Sequence, residues 1–239
     1  MAYFNWSQMD RATLYSYFYS LNKSIVGKSL TPAQITKIIS QNLKAILPIK
    51  VVKHIGIDNK CGYVYMGGMY HSDFDANNKK SIELNLHFHE NDRTLKITQY
   101  RWKRMAIRFA DIMLHEIIHM RQFRARNFKP IPGYQSTVEN TKNRQEQTYL
   151  GDRDEMGAFA FNIACEMLDY FGYNPTAIKH YMDTNSTKRH KNMWWYTYLK
   201  AFHFNHNHQI IRRMKNLIMR QLENAYYGKP FKTTNHLTY

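Results

Sequence analysis

Hydrophobic and polar positions change their spacing along the chain, and each spacing predicts a different kind of element. Apolar residues first recur with a helical period, which predicts helices over residues 7–22 and 31–46. Short β-branched or aromatic segments separated by turn-rich sequence follow, at residues 51–57, 62–71 and 81–88. Such segments are typical of β-strands. The first part of the chain therefore predicts two helices followed by a small sheet.

The third of these segments, SIELNLHF, has the clearest strand pattern. Its apolar residues alternate with polar ones, and they are Ile82, Leu84, Leu86 and Phe88. A period of two places all four on one face of a strand, so we expect that face to be buried.

A helical spacing returns from about Thr98 to Arg124. Its apolar stripe consists of Trp102, Met105, Phe109, Ile112, Met113 and Ile117. The sequence PIPGYQ ends this pattern, and the polar stretch STVENTKNRQEQ after it is predicted to be a connector. Further helices are predicted over residues 152–171, 175–182 and 192–227.

This order of elements predicts an α+β fold. We expect a small, mostly antiparallel sheet packed on the helix of residues 98–124, with N-terminal helices and a helical C-terminal extension. The predicted main domain covers residues 1–183, with the N-terminal helices at 1–47 and a core at 48–183 that carries the candidate chemistry. The basic helical extension covers residues 184–239.

Charge and cysteine content narrow the class of protein. The 239 residues include 34 Lys and Arg against 18 Asp and Glu, a formal net charge of +16. Such a field favours polyanions, either nucleic acid or an acidic partner. The two cysteines give no disulfide framework. No stretch has the ~20 apolar residues of a membrane span or the profile of a signal peptide, so a cytoplasmic protein without a membrane partner is expected.

Residues 115–119 read HEIIH and carry the strongest chemical signal in the chain. Two histidines four residues apart lie above one another on a helix, so their imidazoles can bind one ion. Zinc accepts histidine nitrogens and, with one further protein ligand, keeps a fourth position open for water. Glu116 sits about 100° around the helix from His115, where its carboxylate can take a proton from that water. The spacing therefore predicts Zn²⁺ on His115 and His119, and a general base at Glu116.

A zinc site needs another protein ligand, and the candidates lie downstream. Glu155 is near the start of the predicted helix at residues 152–171, and a carboxylate on a second helix would complete a His2Glu site. Asp152 and Glu155 also have the spacing of a helix N-cap paired with its third residue, so an alternative is that Glu155 only completes the cap. Asp154 is the second candidate for the ligand and His180 is the third.

The order of SIELNLHF, LHEIIHM and EMGAFAF resembles the zincin metallopeptidases, in which a glutamate of an E-x-x-A helix is the third zinc ligand. The layout is similar to the minimal zincins of the ImmA/IrrE-like and SprT-like families, and to HExxH proteins of tailed phages. SprT-like enzymes usually use histidine as the third ligand, and Glu155 departs from that pattern. The resemblance covers residues 48–171 and implies a zincin-like fold, with Glu155 as third ligand and Glu116 as general base.

In these families a short sheet precedes the motif helix, and its edge strand pairs with the substrate backbone. SIELNLHF is the expected match to the last strand of that sheet. The resemblance implies a zinc metallopeptidase that hydrolyses protein or peptide, located in the host cytoplasm if a phage encodes it. The alternative is a basic nucleic-acid-binding protein that uses the same scaffold with little or no proteolytic turnover.

Other residues are weaker candidates for function. A peptidase also needs a donor for the oxyanion, and the available side chains are Tyr134, Tyr149, Arg153 and His180. Basic residues placed to contact a polyanion are Arg121, Arg124, Arg126, Arg212, Arg213 and Lys215. The histidine cluster HFNHNH (203–208) is expected on a polar helix surface, and the aromatic residues of WWYTY (194–198) are expected in the core.

Overall fold

Helices and two small sheets make up the part of the chain that the computed structural model describes. The described ranges are residues 9–44, 47–56, 60–184 and 193–226. The chain divides into two compact units, Met1–Phe123 and Arg124–Tyr239. The mixture of helices and strands confirms the predicted α+β class. Several predicted element ends lie outside the described residues, at residues 7, 46, 57, 192 and 227.

The first unit contains both sheets and most of the motif helix. Its helices are α1 (Arg11–Tyr19), α2 (Asn22–Ile25), α3 (Pro32–Lys44), α4 (Ser72–Ala76) and α5 (Gln99–Ala125). Its strands are β1 (Ser29–Leu30), β2 (Ile49–Gly56), β3 (Tyr65–Tyr70), β4 (Ile82–His89) and β5 (Leu95–Lys96). β1 and β5 form a short antiparallel pair, and the other three strands form a sheet in the order β2-β4-β3.

The three-stranded sheet is mixed. β4 lies at its centre, parallel to β2 and antiparallel to β3. The predicted mostly antiparallel sheet therefore has one antiparallel and one parallel pairing. SIELNLHF is the last of its three strands along the chain, but it lies at the centre and is not an edge strand. The predicted buried face is confirmed, since all four of its apolar side chains are buried. Asn85 on the opposite face is buried as well, which suits a strand that has a neighbour on each side.

A glycine brings the sheet close to α5. A Cβ built on Gly68 of β3 would lie 2.6 Å from Cγ2 of Ile112 and 2.7 Å from Oε1 of Glu116. Real Cβ atoms essentially never make contacts this short, so any other residue here would have to displace the side chain of Ile112 or Glu116. The predicted packing of the sheet on the HExxH helix is confirmed.

The N-terminal helix α1 also packs on α5. Phe18 stacks on Trp102 and on Phe109, with ring centroids 4.6 Å apart in each pair. Arg11 donates a hydrogen bond of 2.7 Å to the carboxylate of Asp111. The whole predicted apolar stripe of α5 is buried. Aromatic pairs add about 0.5–1.5 kcal/mol each beyond their buried area, so these contacts hold the motif helix firmly.

The second unit is helical among its described residues. Its helices are α6 (Thr141–Gly151), α7 (Arg153–Phe171), α8 (Pro175–Asp183), α9 (Trp194–Ala201) and α10 (Gln209–Tyr226). One apolar core joins them, and it includes Trp195 and Tyr198, which are fully buried. The prediction that WWYTY contributes to the core is confirmed. No helix in the described ranges has a stretch apolar enough to cross a membrane.

The predicted polar connector after residue 135 contains a helix instead. Asn140 caps α6 by accepting a hydrogen bond of 3.0 Å from the Asn143 amide. Only Gln147, Leu150 and Gly151 of α6 are buried. A helix that buries so few apolar residues leaves no hydrophobic period in the sequence.

The predicted helix from residue 192 to 227 is interrupted between α9 and α10. His203 and Phe204 adopt left-handed φ values of 54° and 57°. Nδ1 of His208 accepts a hydrogen bond of 3.2 Å from the Ile210 amide at the start of α10. The histidines of HFNHNH therefore lie in a turn, and the prediction that they occupy a helix surface is wrong.

Candidate metal centre

α5 places the two motif histidines side by side in a buried environment. His115 and His119 are each 8% exposed. Their ring centroids are 4.7 Å apart and the rings are nearly perpendicular, at 77°. This arrangement follows from the helical period, because residues four apart lie above one another on one face.

The ring of His119 is oriented by a residue that the sequence analysis did not select. Nδ1 of His119 lies 3.1 Å from Oε1 of Gln122, one helical turn later. An amide oxygen can only accept a hydrogen bond, so Nδ1 carries the hydrogen and Nε2 keeps a lone pair for a metal. Metal-binding histidines usually have such a partner on the other ring nitrogen. The H-x-x-Q spacing in the sequence is the signal that would have identified it.

Glu155 lies in the first turn of α7. The carboxylate of Asp152 caps this helix by accepting hydrogen bonds from the amides of Asp154 (2.8 Å) and Glu155 (3.4 Å). The Asp152 amide itself donates to the carbonyl oxygen of Tyr149, at 3.1 Å. This amide is the group that Glu155 would bind in a reciprocal cap. The alternative that Glu155 completes the cap stays a prediction.

His115, His119 and Glu155 together form a group that could hold a metal ion. One ligand atom from each residue lies within 4.8 Å of the other two. Ligand atoms around a tetrahedral zinc ion at 2.0–2.1 Å are about 3.4 Å apart, so small side-chain rotations would close this group on an ion. Two imidazole nitrogens and one carboxylate oxygen are a donor set that zinc accepts. The three predicted ligands are thus brought together.

Glu116 follows the first ligand in a fully packed stretch of the helix. Its side chain is 7% exposed and lies against the backbone of β3 at Gly68. A carboxylate in this position is held in place on its strand side and is adjacent in sequence to the candidate ligand His115. Its role as general base stays a prediction.

The other two candidates for the third ligand are placed differently. Both carboxylate oxygens of Asp154 accept hydrogen bonds from Arg126, at 2.8 Å and 2.6 Å. His180 is exposed on α8. Neither residue belongs to the group of three.

Two of the basic residues selected from the sequence already have acidic partners. Arg126 forms the bidentate ion pair with Asp154, in which both side chains are largely buried. Lys215 pairs with Asp183. Their positive charges are therefore partly neutralised within the chain, which reduces what they offer a polyanion.

The remaining basic candidates differ in exposure. Arg124 and Arg212 are exposed, whereas Arg121 and Arg213 are half-buried. Burial lowers the pKa of Arg121, and burial together with the nearby Arg153 lowers the pKa of Arg213. Contact of these residues with a polyanion stays a prediction.

The candidate oxyanion donors have different surroundings. The ring of Tyr134 packs edge-on against Phe202 and His208, with centroid distances of 6.4 Å and 6.3 Å. Tyr149 is 49% exposed, and Arg153 is the first residue of α7. Stabilisation of an oxyanion by any of them stays a prediction.

Comparisons of this chain with protein-family models, with curated proteins and with solved structures found no match. The resemblance to zincins therefore depends on the motif residues and on the group of three side chains described above.

Proposed function

We propose that this chain is a zinc-dependent metallopeptidase that hydrolyses peptide bonds in proteins or peptides. The observation that carries the proposal is the close group of His115, His119 and Glu155. The buried Glu116 carboxylate, directly after the first of these ligands, supplies the second requirement, a base.

His115, His119 and Glu155 would hold Zn²⁺. When bound, zinc supplies Lewis-acid chemistry, since it polarises a carbonyl group and lowers the pKa of water at its open position. Gln122 would keep the His119 ring in the tautomer that leaves Nε2 available to the metal. Loss of that hydrogen bond should therefore lower the affinity for zinc.

Glu116 would move the proton. Its carboxylate accepts a proton from the attacking water while the water oxygen forms a bond to the scissile carbonyl carbon. The carbon–nitrogen bond then breaks, and Glu116 returns the proton to the leaving amine nitrogen. Burial of Glu116 favours this transfer because electrostatic interactions are stronger where water is excluded.

The strand β3 is the expected position of an extended substrate. It is at the edge of its sheet, so one side of its backbone can pair with an added strand. The resemblance to zincins implies the same mode of binding. Because Glu116 lies against Gly68 in the middle of β3, a peptide added to this strand would lie close to the base.

Hydrolysis of casein by the purified protein tests the proposal. Glu116→Gln should lower turnover by about 10²-fold or more, because general acid–base catalysis contributes ~10²–10⁴-fold. Glu146→Gln on the exposed face of α6 is the matched control and should leave turnover unchanged. Equal hydrolysis by the wild type and Glu116→Gln would overturn the proposal.

Elemental analysis of the same preparations tests the metal. The wild type and Glu116→Gln should contain zinc, whereas His119→Ala and Glu155→Ala should lose most of it. Full zinc content in Glu155→Ala would remove this residue from the ligand set.

A further inference from the structure

The three-stranded sheet has a second face, opposite α5, that carries a row of rings. Side chains alternate along a strand, so Gly68 faces α5 while Tyr65 and Gly67 of β3 face the other way. Tyr65 is paired with His87 of β4, and His87 is paired with His54 of β2. One ring from each strand therefore lies in the same row across this outer face.

The two histidine rings are stacked and fixed. Their centroids are 4.7 Å apart and their planes differ by 16°. Nε2 of His54 lies 2.6 Å from Oδ1 of Asn85, and this hydrogen bond restricts rotation of the His54 ring. Burial lowers the pKa of His87, and the neighbouring His54 lowers it further. The ring of His87 is therefore neutral near pH 7 and offers a flat stacking surface.

Exposed tyrosines with adjacent cations extend the row. Tyr65 is 44% exposed and Tyr63 is 38% exposed, with ring centroids 6.4 Å apart. The Lys60 ammonium lies 4.8 Å from the centroid of Tyr63, and the Arg101 guanidinium lies 4.5 Å from it. Two cations are thus fixed beside the aromatic surface.

The missing side chain of Gly67 leaves open space on β3 next to Tyr65. A Cβ built there would meet only Nε2 of His87, at 3.9 Å. Glycine inside a strand often marks a position where a ligand approaches the backbone closely. A flat ring can therefore lie over β3 at Gly67, with Tyr65 beside it on the same strand and the edge of His87 on the next strand.

The carboxylates near this face are already engaged. Glu83 accepts a hydrogen bond of 2.9 Å from Lys50. Asp92 accepts hydrogen bonds from the amides of Gly62 (2.8 Å) and His89 (3.0 Å). Glu83 is neutralised by Lys50, whereas the amides leave Asp92 negatively charged, and the two cations Lys60 and Arg101 outnumber it beside Tyr63.

We propose that this outer face binds single-stranded nucleic acid. Bases would stack on the rings of Tyr65 and His87, and phosphates would contact Lys60 and Arg101. Base stacking on aromatic side chains combined with a positive backbone contact is the common mode of single-strand recognition. A face that binds the apolar surface of another protein would instead carry aliphatic side chains and have no cations beside them. The site is separate from the candidate metal centre, on the other face of the sheet.

Fluorescence anisotropy with labelled oligo-uridine, oligo-deoxythymidine and duplex DNA tests this proposal on the full chain. Binding of a single strand is expected, weakening as salt increases. Tyr65→Ala should weaken it by roughly 5-fold or more, the range for loss of one stacked base. Arg101→Gln should also reduce the slope of affinity against salt. The tighter of the two single-strand titrations identifies RNA or DNA.

Tyr173→Ala is the matched control, because Tyr173 is 65% exposed and belongs to the second unit. It should leave affinity unchanged. Absence of binding by the wild type would overturn the proposal. Binding that Tyr65→Ala and Arg101→Gln leave intact would overturn it as well, since it would reflect charge elsewhere. Casein hydrolysis would use the proposed groups on α5 and α7 and only the backbone of β3, so either proposal can fail without the other.

Discussion

A glycine in the middle of β3 lets the Glu116 carboxylate approach the strand backbone. A Cβ on Gly68 would lie 2.7 Å from Oε1 and 2.8 Å from Cγ of Glu116. The adjacent Gly67 points to the opposite face, where its nearest neighbour would be 3.9 Å away. An alanine side chain would therefore clash at Gly68 but would meet only ordinary contact distances at Gly67.

Gly68→Ala is expected to lower peptidase turnover while leaving zinc content unchanged. The added methyl group must displace Glu116 or Ile112, and a misplacement of about 1 Å near the reacting groups can cost ~10²-fold in rate. Gly67→Ala meets ordinary contact distances, so its turnover should stay close to that of the wild type. For each variant and the wild type, kcat for casein hydrolysis and zinc content are both measured. Similar kcat values for the two variants would show that Gly68 does not position the base.

The placement of the two candidate ligands on α5 and of Glu116 could be predicted from the sequence because it depends on local geometry alone. A helix fixes the relative positions of His115, Glu116 and His119 whatever surrounds it. The role of Gly68 depends on a contact between a strand and a helix, and no spacing in the sequence encodes that contact. Gln122 could be predicted only in part. The helix fixes its spacing from His119, but it does not fix the direction of the Gln122 amide group.

An ion pair joins the start of α7 to the segment that follows α5. Arg126 binds both oxygens of Asp154, and the two side chains are only 18% and 15% exposed. Asp154 directly precedes the candidate ligand Glu155. A largely buried, bidentate pair restricts the first turn of α7 much more than an exposed pair would. The candidate ligand Glu155 therefore lies on a helix that is held at its N-terminus.

Arg126→Gln is expected to weaken zinc binding by about 10- to 100-fold, the usual effect of losing a residue that orients a metal ligand. Arg126→Lys keeps the charge but not the two parallel hydrogen bonds, so its effect should be intermediate. Arg104→Gln is the control, because Arg104 is exposed on α5. Competition with a chelator measures the zinc Kd. The same Kd for Arg126→Gln and Arg104→Gln would show that the ion pair does not support the candidate ligand.

Elements with a strong apolar period were predicted well, and elements without one were missed. α5 and the buried face of β4 have many apolar residues at regular spacing, and these are the residues that the structure buries. α6 buries few side chains, and its cap at Asn140 was the one available signal. The order of strands was not predictable either, because residues on one face of β4 show that a neighbour exists but not which strand it is.

For the whole molecule, composition gives the net positive charge but not which cations lie on a surface where a polyanion can contact them. Arg126 and Lys215 are paired with carboxylates, whereas Lys60 and Arg101 lie beside Tyr63. The proposed nucleic-acid surface combines residues from three strands, a loop and the first turn of α5, so no continuous motif identifies it. Net charge is a sum over the chain, and only the fold determines which cations remain on a usable surface.

Zinc should stabilise the folded chain as a whole, because the ligands come together only in the folded state. At a free zinc concentration 100 times its Kd, binding adds about 2.7 kcal/mol to the free energy of unfolding. For a chain of this size that corresponds to a rise in Tm of roughly 5–10 °C. Thermal unfolding with zinc and with a chelator measures the difference.

Variants separate this stabilisation from catalysis. Glu155→Ala should lose most of the rise in Tm because it removes a ligand. Glu116→Gln should keep the rise, since the proposed role of Glu116 is to move a proton and it is not in the group of three candidate ligands. Equal Tm values for the wild type in zinc and in chelator would mean that the three side chains do not bind the ion in solution. A rise that Glu155→Ala retains would instead place zinc on other residues, because only a ligand of the folded state can couple metal binding to unfolding in this way.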